Sequence, residues 1–165
     1  MQESRNDPEM SRDRIAAITL DPKSLGRTNA NIEHEREVAI FDILDGNVFA
    51  VDGVDQGPYA LHLAIANDRL QITIATGQGA EIAQHHVPLT PLKRIIKDYF
   101  MVCESYYEAV RTAPPARIQA IDVNRRSLHD EGSQILREKL AGKIAIDTDT
   151  ARRLFTLVCA LHWKG

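Results

Sequence analysis

Asp122, Arg125, His129 and Gly132 stand at i, i+3, i+7 and i+10 within the stretch Arg117–Leu140, and Arg126 follows Arg125 directly. At that spacing the side chains share one side of a helix. An acid, guanidinium groups and an imidazole held together suit two kinds of chemistry. Arginines grip a carboxylate or phosphate through paired N–H donors. A histidine titrates near neutrality and so gives or takes a proton. The same residues also suit a purely internal network, in which Asp122 neutralises an arginine and His129 bonds a backbone carbonyl of a sheet. In either arrangement a buried guanidinium must be paired, because leaving it alone costs several kcal/mol.

The helix that carries these groups is apolar on the same side. Ile118, Ile121, Leu128, Ile135, Leu136 and Leu140 recur at helical period. The pattern predicts a long penultimate helix that turns charged side chains inward, toward a sheet. Gly132 lets a neighbouring backbone or ligand come close. Gly132-Ser133 also offers a break point, with Ser133 capping a second half.

Arg152-Arg153 begins the last predicted helix. Adjacent helical side chains diverge by about 100°, so at most one of the two faces any given site. Arg153 is the candidate to join Arg125 and Arg126 in an anion site between helices; the alternative is a solvated basic flank. The other constellations carry less. His34-Glu35-Arg36-Glu37 has the start of a zincin helix, but Val38 stands where the second histidine belongs. His85-His86 lies in a presumed strand, where neighbours point to opposite faces. Gly77-Gln78-Gly79 lacks the remainder of a phosphate loop and reads as a hairpin turn. Cys103 and Cys159 form no CxxC and suit packed thiols in a reducing compartment. No metal set and no cofactor motif is expected.

The elements that must position the candidate site follow from periodicity and punctuation. Arg14–Asp21 reads as a strand and Asn31–Leu44 as a helix capped by Asn31. Tyr59–Thr76 alternates as a hairpin. A two-residue turn at Asn67-Asp68 pairs Ile65 with Leu70, Leu63 with Ile72 and Leu61 with Ile74, which puts every apolar residue on one face. Ala80–Val87 adds a third strand. Thr90 caps a helix that runs to Arg111, with Leu92, Ile95, Ile96, Tyr99, Val102, Cys103, Tyr106 and Val110 as its stripe. The predicted fold is α+β: a small, mostly antiparallel sheet built on the 59–87 meander plus the N-terminal strand, packed against about four helices near 31–44, 90–112, 115–141 and 149–163. Residues 1–13 read as a disordered arm, and 14–165 as a single domain.

The last helix is apolar on two sides. Leu154, Leu157, Val158 and Leu161 form one stripe, and Phe155, Cys159 and Trp163 a second flank. Such a helix is either sandwiched in the fold or shared with a partner or second subunit.

Composition bounds the function classes. Of 165 residues, 44% are hydrophobic and 26% charged, which is ordinary globular usage. The net charge of −3 argues against a dedicated nucleic-acid binder. No apolar run approaches the roughly 20 residues of a membrane span, and the first thirteen residues hold no secretory apolar core. The expected location is therefore the cytoplasm.

Three strings, HEREVAIFD at His34–Asp42, RRSLHDEG at Arg125–Gly132 and DTARRLFTLV at Asp149–Val158, together with the opening strand, resemble uncharacterised protein family 0262. The resemblance covers nearly all of the chain after residue 13. It implies a soluble bacterial protein of the cytoplasm and carries over no activity, cofactor or catalytic residue. Two functions stay open. One is a non-catalytic binding or regulatory protein that recognises a partner or small anion through Asp122, Arg125, Arg126, His129 and Arg153. The other is a small enzyme acting on an anionic substrate, with His129 as acid/base.

Overall fold

A computed structural model describes residues 12–25 and 29–162. In chain order, β1 (Ile15–Leu20) leads through the short α1 (Pro22–Leu25) to α2 (Ala30–Asp45) and β2 (Phe49–Val51). The meander β3 (Tyr59–Ala66), β4 (Arg69–Thr76) and β5 (Glu81–Pro88) follows, then α3 (Thr90–Thr112), α4 (Pro115–Leu140), β6 (Ile144–Ile146) and α5 (Thr148–His162). The architecture is α+β. A mixed sheet has the order β1-β3-β4-β5, and β2 pairs with β6 in a separate two-stranded ribbon. Among the described residues, the β1–β3 pair alone is parallel.

The alternation in the meander dictates its register. Ile65 faces Leu70, Leu63 faces Ile72 and Leu61 faces Ile74. Asn67 and Asp68 both adopt positive φ, 56° and 59°, as a two-residue hairpin turn matched to strand twist requires. The resulting apolar face is buried: Tyr59, Leu61, Leu63, Leu70, Ile72 and Ile74 all belong to the core. The outer face, with His62, Gln71 and Thr73, is exposed or half-buried.

Helix ends follow local hydrogen bonds. Asn29, rather than Asn31, caps α2 by accepting from Ile32 N at 2.9 Å. Asp147 caps α5 by accepting from Thr150 N at 2.9 Å. Thr90 does not cap α3; the cap position is Leu89, which makes no side-chain bond, and Pro91 sits in the first turn. Asn47 does more than end a helix. Buried between α2 and β1, its side chain accepts from Ile15 N at 2.7 Å and donates to Ile15 O at 3.0 Å and Ile43 O at 2.7 Å. Its amide thus completes the backbone bonding of both neighbours.

The last helix is sandwiched. Ala151, Leu154, Phe155, Leu157, Val158, Cys159 and Leu161 of α5 are all buried within the chain. That overturns the partner surface expected at Phe155 and Cys159: α2 and α4 already cover that flank. Trp163 lies outside the described residues. So does most of the 1–13 arm, although Arg12 Nε donates to Gly57 O at 3.1 Å and Asp13 O accepts from Phe49 N at 2.9 Å.

The penultimate helix is unbroken over 26 residues, about 39 Å at 1.5 Å per residue. It outruns the core. Only Gly132, Ser133, Leu136 and Leu140 are buried, all in its second half. The half before them leans on α3, so Ile118 and Ile121 are only half-covered. Val110, at the matching end of α3, is 52% exposed. Gly132 does not break the helix. A Cβ placed there would meet the Phe155 ring at 2.2 Å, so the missing side chain lets α5 come close.

Candidate functional site

Arg125 and His129 of α4 face other helices, Tyr106 of α3 and Thr156 of α5, and not the four-stranded sheet. The expectation of charges turned toward strands is therefore corrected: the half of α4 that carries Asp122 and Arg125 extends past the core. Asp122 lies at the centre of a small network. Its Oδ1 accepts from Arg125 Nε at 3.1 Å and Nη2 at 2.5 Å, and its Oδ2 from Arg126 Nε at 2.9 Å and Nη2 at 2.5 Å. The bonds from Arg125, then those from Arg126, hold the Asp122 carboxyl below the usual range. Arg125 also stacks over the Tyr106 ring at 4.4 Å, a cation–π contact that fixes its plane. Arg126 stays open, with its side chain 68% exposed.

His129 is engaged on both ring nitrogens. Nε2 lies 2.8 Å from Thr156 Oγ1 of α5, and Nδ1 lies 3.5 Å from Ser133 Oγ. Its ring meets Phe155 edge-on at 5.2 Å between centroids and Tyr99 at 5.3 Å. The expected sheet carbonyl is thus replaced by a threonine hydroxyl. Burial, then the nearby Arg152 charge, pushes its pKa down to about 4. His129 is therefore a neutral imidazole at physiological pH.

These residues border a cleft of about 350 Å³ where α2, α3, α4 and α5 meet. One wall is α4 and α5, contributing Arg125, Arg126, His129, Arg152, Arg153 and Thr156. The opposite wall is α2, with His34, Glu35, Val38, Ala39 and Asp42, and Tyr99 and Tyr107 of α3 close one side. Asp122 is not a lining residue but orients two that are. Both Arg152 and Arg153 reach the cleft, which overturns the expectation that at most one could. They diverge, and the cleft is wide enough to take both. Arg152 pairs with Asp130 at 2.8 Å. Arg153 Nη1 donates to the carbonyls of Asp42 at 3.5 Å and Gly46 at 3.3 Å, at the end of α2, where a cation meets the negative end of the helix dipole.

Several cleft residues are not legible as site residues in the sequence. Glu35 reads there as a helix-dipole acid. In the fold it accepts from the hydroxyl of Tyr107, 72 positions away, and from that of Tyr99 at 3.4 Å. Burial, then the bond to Glu35, raises the Tyr107 pKa, so both phenols remain protonated donors. Cys103 and Cys159 are buried, and burial raises Cys103 to about 12 and Cys159 well above its ordinary value. Neither is a thiolate at neutral pH. Among the described residues, no group of three or more His, Cys, Asp or Glu side chains is placed to hold a metal ion, and no helix is long and apolar enough to cross a membrane.

The chain matches the model of an uncharacterised protein family, UPF0262, over residues 12–164. A UPF0262 protein of Rhodopseudomonas palustris (strain TIE-1) is 53% identical over 162 residues, covering 98% of this chain and 99% of the relative. One from Nitrobacter winogradskyi is 54% identical over 155 residues, 94% of this chain and 93% of the relative. One from Azorhizobium caulinodans is 53% identical over 154 residues, 92% and 95% of the two chains. No solved structure matches.

Proposed function

The chain belongs to the uncharacterised protein family UPF0262, and from its cleft we propose a non-catalytic binding protein that holds a small organic anion between α2, α4 and α5. One observation carries this: Arg126, Arg152 and Arg153, from two different helices, converge on a single cleft. Arg126 and Arg152 are exposed enough to meet a ligand, at 68% and 41% of their side chains, and each keeps guanidinium N–H groups beyond those bonded to Asp122 and Asp130. The fixed planes of paired arginines suit bidentate capture of a carboxylate or phosphate. A pocket of this volume lies at the small end of those that bind metabolite-sized ligands. In a regulatory role, the exposed Phe41 and Leu44 of α2 are the surface a protein partner would meet beside the cleft.

The alternative enzyme with His129 as acid/base finds less support. Both ring nitrogens are engaged inside the protein, and a group with pKa near 4 carries no proton to donate at neutral pH.

The test is thermal denaturation with a panel of carboxylates, α-amino acids among them, and phosphate monoesters. A ligand at 100 times its Kd adds about 2.7 kcal/mol, which lifts the melting temperature of a chain this size by about 5–10 °C. At least one anion should give that shift, and the double substitution R126A/R152A should remove it without changing the ligand-free melting temperature. A panel without effect, or a shift that survives in the variant, refutes the reading. Native mass spectrometry of protein purified from its own host would show a retained ligand directly.

A further inference from the structure

The two walls of the cleft differ in sign, and this narrows the ligand. Arg125, Arg126, Arg152 and Arg153 belong to the α4–α5 wall, while Glu35 and Asp42 belong to α2. Counting the partners Asp122 and Asp130, four guanidinium groups are met by four carboxylates. Among the described residues, the guanidinium and carboxylate charges of the cleft thus balance, with Arg125, Arg126 and Arg152 on one wall and Arg153 reaching across to the α2 carbonyls. The carboxylates are not equivalent. Asp122 and Asp130 are paired with arginines, and Glu35 accepts from Tyr99 and Tyr107. The half-buried Asp42 side chain joins no hydrogen bond or ion pair among the described residues, although Arg153 is bonded to its backbone carbonyl. Between Glu35 and Asp42, on the same side of α2, stand Val38 and Ala39. A simple anion would satisfy the basic wall but bring a like charge toward two carboxylates. A dianion such as a phosphate monoester would do so twice.

Resting on the anion-binding reading above, we propose that the occupant is a small zwitterion of amino-acid type. Its carboxylate lies at Arg126 and Arg152, its ammonium at Asp42, and its apolar side chain over Val38 and Ala39. Such a ligand satisfies both walls at once and leaves the balance of guanidinium and carboxylate charges unchanged. The ammonium supplies the donors that Asp42 lacks, and the short apolar strip on α2 selects against acidic or basic side chains.

The experiment is isothermal titration of the full chain with L-leucine, L-methionine and L-phenylalanine, with 4-methylpentanoate and 3-methylbutylamine as the two halves of leucine, and with inorganic phosphate. At least one amino acid is expected to bind, and each half-molecule to bind at least about tenfold more weakly, the scale of one lost charge-assisted hydrogen bond. D42N is expected to weaken the amino acid by a similar factor and to leave 4-methylpentanoate unchanged, with the ligand-free melting temperature preserved. Three results overturn the proposal: 4-methylpentanoate or phosphate binding as tightly as any amino acid, D42N leaving amino-acid affinity intact, or no amino acid binding. The first leaves the anion-binding reading standing. That reading fails separately, if R126A/R152A does not weaken whatever anion binds.

Discussion

Replacing Gly132 by alanine tests the closest contact in the site's framework. The added carbon would lie 2.2 Å from Phe155 Cζ, 2.4 Å from Cε1 and 2.8 Å from Cε2. Carbon atoms pack comfortably at about 3.5 Å, so the ring tip must retreat by about 1.3 Å. It has nowhere to go. Phe155 is fully buried and lies edge-on against His129 at 5.2 Å and Tyr99 at 6.2 Å between centroids. Overpacking of this kind costs about 1–3 kcal/mol, and two aromatic neighbours behind the ring favour the upper end. Alanine returns about 1 kcal/mol of helix propensity over glycine. The net expectation is a loss of about 2 kcal/mol, or a melting temperature lower by about 4–8 °C, measured by denaturant and thermal unfolding. In an F155L background the ring tip is gone, and the same substitution should cost much less. If G132A instead raises stability by the propensity gain, the close approach of α4 and α5 is wrong, and with it the spacing of the cleft walls.

Three further outcomes follow from particular groups. His129 has an ordinary pKa of 6.5 lowered to about 4 in the fold, so the unfolded chain binds a proton first. Stability is then fully present above pH 6.5 and falls as pH drops toward 4, by up to about 3 kcal/mol; H129N should flatten most of that slope, leaving a smaller part from His85, which burial also lowers. N47A strands the buried groups of Ile15 and Ile43 that Asn47 satisfies and should cost about 2–4 kcal/mol in denaturant unfolding. R125A, which loses both the stack on Tyr106 and the pairing with Asp122, should cost about 1–2 kcal/mol, whereas R126A, mostly exposed, should stay within about 0.5 kcal/mol of the parent; equal losses would refute the division of roles between the two arginines.

What the sequence shows clearly is what short-range physics controls. The β3–β4 register is legible because alternation and a two-residue turn admit one pairing. The helices are legible from their period and their prolines, and the i,i+3 and i,i+4 bonds of Asp122 from spacing alone. The rest depends on which elements become neighbours. A helical stripe says that α4 has a covered side, but not that α3 covers its first half and α5 its second. The apolar circumference of α5 requires cover on several sides without saying that one chain provides it. Glu35 and Tyr107 are joined only by tertiary packing, and no local pattern marks Asp42 as a bare carboxylate in a cleft. Asn47 sits in a helix-stop dipeptide, where its three tertiary bonds cannot be seen.

The reach of α4 beyond the core gives the molecule a mechanical asymmetry. Its Leu140 end is clamped in the interior, while its Pro115 end is an arm that packs beside α3. Amide exchange should therefore run as a gradient along one continuous helix, slow at the clamped end and fast at the tip. Arg125 and Arg126 sit near the turnover of that gradient, where a small bending of the arm moves them relative to Arg152 and Arg153. A molecule that ties the two pairs together would brace the arm, and slower exchange across the α3–α4 corner would report its arrival at a distance.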